Sequence, residues 1–104
     1  ASATLTPQAK KQLDVVAAAL RNNKLAEYGF NVEGHADPRG AHEANLSLSQ
    51  QRAESVRSYL ISAHSIEAKR LKAVGKGDSE VLNAKDPAAV ENRRVTIVTD
   101  VSAP

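Results

Sequence analysis

Two stretches of apolar residues at helical spacing, separated by a short alternating stretch, do most to limit what this chain can fold into. In the first, Ala9, Leu13, Val16, Ala17 and Leu20 line up on one side of a helix, with Lys10, Lys11, Gln12 and Asp14 on the other. In the second, Leu48, Ala53, Val56, Leu60 and Ala63 form the apolar stripe. Between them Phe30 and Val32 alternate with Asn31 and Glu33, as in a half-buried strand. Each helix has one face to bury, so the economical arrangement lays both on one side of a sheet.

Local signals bound these elements. Thr6 followed by Pro7 reads as an N-cap and first helical residue, and "RNNK" (21–24) ends that helix. "GHADPRG" (34–40) breaks the strand. Ser47 with Gln50 has the form of a capping box at the start of the second helix, and Ser65 of a cap on a short turn through Arg70. "LKAVG" (71–75) predicts a strand entering the break "KGDSE". Asp86-Pro87 opens a short helical turn. "RRVTIVTDV" (93–101), rich in β-branched residues, predicts the best strand. The order is α-β-α-β-β: an α+β two-layer sandwich with helices on a mixed sheet.

Composition narrows the function. The chain has 104 residues, enough for one core, and we expect a single domain over residues 1–104. It begins in mid-pattern, which suggests a fragment of a longer protein. No apolar run is long enough to span a bilayer, and no signal-peptide pattern opens the chain. A net charge of +2 and an aromatic content of 3% argue against a nucleic-acid partner, which calls for a dense basic stripe or stacking platforms. The absence of cysteine removes thiolate catalysis and cysteine zinc sites.

The chemistry-bearing residues concentrate in the first break. A turn needs the glycines and proline of "GHADPRG"; it does not need Asp37. On residue type alone, Asp37 fits a turn cap as well as a ligand contact. Arg52 fits a solvated helix charge, or a surface pair with Asp37 or Glu43 worth roughly 0–1 kcal/mol. His35, Asp37, His42 and Glu43 match no standard metal spacing. A triad of Ser47 or Ser49 with His35 and Asp37 is less natural than a capping role for the serines. We therefore expect no metal, no cofactor and no catalysis. In "NRR" (92–94), one arginine reads as structural.

Four ordered blocks go further. "VEGHADPRG", "NLSLSQQRAESVRSYL", "GKGDSEVLN" and "ENRRVTIV" resemble the C-terminal domain of the outer-membrane protein A family, whose relatives include peptidoglycan-associated lipoproteins and flagellar stator proteins. The resemblance runs from Val32 to Val98. It implies an OmpA-like sandwich in which the family's first strand is missing or truncated here. It also implies non-covalent binding of peptidoglycan in the periplasm of Gram-negative bacteria, by a domain that does not itself insert in the membrane although its full-length protein is membrane-anchored. The family's diaminopimelate-binding Asp and Arg fall on Asp37 and Arg52, and its Asn on Asn45. Ala36 replaces a common threonine and keeps only the backbone N–H. Ala44 stands where a tyrosine is common, and Val81 where a proline is. Arg93 is a further candidate for ligand contact.

Diaminopimelate ends in an ammonium and a carboxylate on one carbon. An Asp accepts from the first, and an Arg fork matches the second bidentately. The strand-end loop and the following helix would bring the two residues to one crevice. The alternative is the same fold used as a protein–protein or dimerisation module.

Overall fold

The computed structural model describes residues 5–22, 28–36, 41–78 and 94–100. Its elements are α1 (Pro7–Leu20), β1 (Gly29–His35), α2 (His42–His64), a 3-10 turn (Ala68–Arg70), β2 (Leu71–Gly77) and β3 (Val95–Asp100). The order matches the α-β-α-β-β reading. The expected turn at Asp86-Pro87 lies outside the described residues.

The sheet runs β2-β1-β3. β1 and β2 are parallel, as a helical crossover through α2 requires. β3 is antiparallel to β1, so the sheet is mixed. Val32, in the centre, sits opposite Ala73 on one side and Ile97 on the other. A register shift between Gly34 and His35 then sets His35 against Gly77.

Both helices cover one face. Ala17 and Leu20 of α1, and Ala53, Val56 and Leu60 of α2, bury against Phe30, Val32, Ile66 and Leu71. Thr6 caps α1, its Oγ1 accepting the Ala9 N–H at 3.1 Å, and Pro7 takes the first turn as expected. From the middle of α1, Asp14 accepts hydrogen bonds from the Tyr59 hydroxyl and His64 Nε2 in the last turns of α2, both at 2.6 Å, clasping α1 to α2. These partners hold the Asp14 carboxyl below its usual range, Tyr59 first and then His64.

Three local expectations fail. Helix α2 starts at His42, with Ala41 at the N-cap and no side-chain cap bond. Ser47 lies inside the helix, where it accepts from Gln51, and the Gln50 amide is committed to β2. The apolar stripe begins only at Leu48, so the pattern missed a polar first turn that is held by the strand ends. Ala63 is exposed, because the helix runs past the sheet after Leu60. Ser65 ends α2 instead of starting a turn: it is left-handed at φ 56°, and its N–H returns to Ile61 O at 3.1 Å.

Candidate functional site

Parallel pairing puts the carboxyl ends of β1 and β2 on one rim of the sheet, and the first turns of α2 lie across it. Gly34 makes that contact possible. A Cβ there would stand 2.0 Å from the Ser49 carbonyl oxygen, so only glycine lets α2 sit so close. Gly34 was read as a turn residue; it is in fact the seat of the helix, and β1 continues through His35.

Ser49 locks the seat. It is fully buried; its Oγ accepts the Gly77 N–H at 2.8 Å and donates to Leu46 O at 2.8 Å. The rim is then closed by backbone bonds. Ala36 N–H donates to Gly77 O at 2.8 Å, and His35 N–H to Arg94 O at 2.7 Å. Gly77, at φ +58°, takes a conformation that disfavours other residues.

Of the residues singled out from the sequence, Ala36, Asn45 and Arg52 are described. Asp37 and Arg93 lie outside the described residues, but each directly follows or precedes a residue of this rim in the chain. Ala36 is buried and its N–H is spent on Gly77, so that amide is not on offer to a ligand. Asn45 lies in the first turn of α2, only 8% exposed, and its side chain lies beside the Asp78 carboxyl. Arg52, half-buried, follows seven residues later, two helical turns on and so on the same side of α2. Arg94 lines an apolar groove of about 640 Å³ between α1, Phe30 and β3; its Nη1 is buried without a hydrogen-bond partner.

Two residues that sequence reasoning did not place here complete the rim. His42 Nδ1 lies 2.7 Å from Asp78 Oδ1, joining the start of α2 to the end of β2. This bond holds the Asp78 carboxyl below its usual range, with a smaller contribution from the Asn45 side chain. No spacing rule would have found a pair thirty-six residues apart. His35, the other histidine of the first break, places Nε2 3.4 Å from Thr96 Oγ1, well within the sheet. Ser49, once a conceivable nucleophile, has its hydroxyl committed to the backbone.

The model of the OmpA family matches residues 1–94. The chain belongs to the OmpA family. Among its relatives is a probable lipoprotein, YiaD, of Escherichia coli K12, 38% identical over 98 residues, covering 92% of this chain and 43% of that protein. The OmpA family domain described here thus spans less than half the length of that relative. Two solved structures agree in fold. The crystal structure of the peptidoglycan-associated lipoprotein from Burkholderia pseudomallei superposes with a TM-score of 0.80 at 29% identity, over 95% of this chain and 83% of that one. The cell wall anchor of the T6SS from Pseudomonas aeruginosa gives 0.73 at 33% identity, over 93% and 69%. The α+β sandwich expected from the sequence is therefore the fold of this OmpA family domain.

Proposed function

We propose that this OmpA family domain binds peptidoglycan non-covalently, through the diaminopimelate of the stem peptide, and tethers an envelope protein to the cell wall from the periplasm. The observation that carries the reading is the placing of Asn45 and Arg52 on one side of α2, above the strand end that leads into Asp37. In this reading the Asp37 carboxylate accepts from the ligand ammonium, and the Arg52 fork takes its carboxylate. Asn45 Nδ2, beside the Asp78 carboxyl, donates to a ligand oxygen in this reading. Arg93, next to the rim residue Arg94, adds a second cation. Relatives named for peptidoglycan association and cell wall anchoring support the assignment. The domain holds and releases; it performs no reaction.

The test is co-sedimentation with purified sacculi. Asp37→Ala and Arg52→Ala should each weaken binding by about 1.5–3 kcal/mol, the scale of a hydrogen bond to a charged group, while circular dichroism stays that of the parent. Pull-down equal to wild type by either variant would refute the clamp. Lysine-type muropeptides, which lack the second carboxylate, should bind roughly ten- to a hundredfold more weakly than diaminopimelate-type ones.

A further inference from the structure

The His42–Asp78 pair has no part in the clamp just proposed, yet it stands on the same rim. Asp78 follows Gly77, and Gly77 O receives the N–H of Ala36, the residue before Asp37. Asp37 and Asp78 thus each directly follow, in sequence, one partner of that bond. The Asp78 side chain is 18% exposed, whereas that of His42 is 67% exposed and open to solvent protons. The Asn45 side chain lies beside the pair.

We propose that Asp78 is a specificity-determining carboxylate of the ligand cleft and that His42 sets its effective charge, so that an anionic stem peptide binds more tightly as the pH falls. The inference rests on the peptidoglycan reading above. With His42 protonated, the pair carries no net charge. With His42 neutral, Nδ1–H can still donate to the carboxylate, so the bond persists, but the rim now carries one negative charge. Histidine is the side chain that ordinarily changes charge between about pH 5 and 8.

The other groups around the pair are of classes that ordinarily keep their charge through that range. On α2 the neighbour is Glu43, exposed in the first turn. On β2 it is Lys76, 3.7 Å from Glu33 of β1. The partial positive charge of the α2 N-terminus is fixed. His35, the remaining imidazole on β1, is buried at 2% exposure, and the variants below separate it from His42. One added charge a few ångströms from an anionic ligand, in partly solvated surroundings, changes affinity by about three- to tenfold.

The experiment is titration of this domain with a diaminopimelate-type tetrapeptide muropeptide at about pH 5.5 and about pH 8, at one ionic strength, for wild type, His42→Gln and Asp78→Asn. Wild type should weaken about three- to tenfold between the two conditions. His42→Gln, its carboxylate uncompensated at both conditions, should hold the weaker affinity at both, and Asp78→Asn, with one negative charge fewer at each, should bind more tightly than wild type at both. Flat wild-type binding, a pH dependence that survives in His42→Gln, or Asp78→Asn binding no tighter than wild type at about pH 8 overturns the inference and leaves the peptidoglycan reading standing. Absence of wild-type binding at both pH values overturns the two together. The substitutions sit on different elements, so if one variant fails to fold the other still decides.

Discussion

A single hydroxyl, that of Ser49, joins helix α2 to the end of β2 and satisfies a buried amide there. Replacing it with alanine keeps the close approach over Gly34 but leaves the Gly77 N–H without an acceptor. Ser49→Ala should therefore cost about 1–3 kcal/mol, the penalty of an unpaired buried donor, read as a lower urea midpoint at unchanged slope. That Asn45 and Arg52 share one side of α2 was legible in the sequence, because they lie seven residues apart in one helix. Ser49 was visible as a possible cap or a triad member, and the glycine whose close approach it shares looked like a turn. The sequence displays a glycine but not the atom that would strike its missing side chain. His42 and Asp78 were illegible for a related reason: each is ordinary in its own neighbourhood, and only the crossover makes them a pair.

At the scale of elements, α2 does more than cover the sheet. Its Gln50 Oε1 accepts the Gly75 N–H at 2.6 Å, and its Nε2 donates to Ala73 O at 3.2 Å. Arg57 Nε donates to Leu71 O at 2.8 Å, and its Nη2 to Ala68 O at 3.0 Å. Alternate residues of β2 turn their polar backbone groups outward, and helix side chains meet them in turn. An open edge invites pairing with another chain, and here it is blunted. The double variant Gln50→Ala/Arg57→Ala should lose about 1–3 kcal/mol and self-associate more readily, the second effect being visible by sedimentation at rising concentration. The Ser47–Gln50 spacing satisfied a capping rule without being a cap. The local pattern was right about the residue types and wrong about their partners, since the sheet outcompetes the helix terminus for the amide.

For the molecule as a whole, the sandwich was legible because its two stripes and three strand patterns follow separate periods, and the sharing of one helical face follows from burial. What makes its stability depend on acid was not legible. Asp14 and Asp78 are both held below the usual carboxylate range by partners on a different element. A lowered value in the folded state stabilises the fold above the ordinary carboxyl value, 3.8, and that stabilisation is lost as the pH falls through the folded value. Asp14→Asn should therefore melt below wild type at neutral pH, and the gap should close on acidification below about pH 4 in a series of thermal scans.

The rim has one more consequence, in time instead of space. Its closing bonds join Ala36 to Gly77 and His35 to Arg94, so its last participant comes far down the chain from its first. A chain synthesised N-terminus first has Asn45 and Arg52 in hand early and β2 to hold α2 soon after, but the β3 side of the rim closes only when Arg94 arrives. On the proposed function, competence to grip the wall then coincides with completion of the fold.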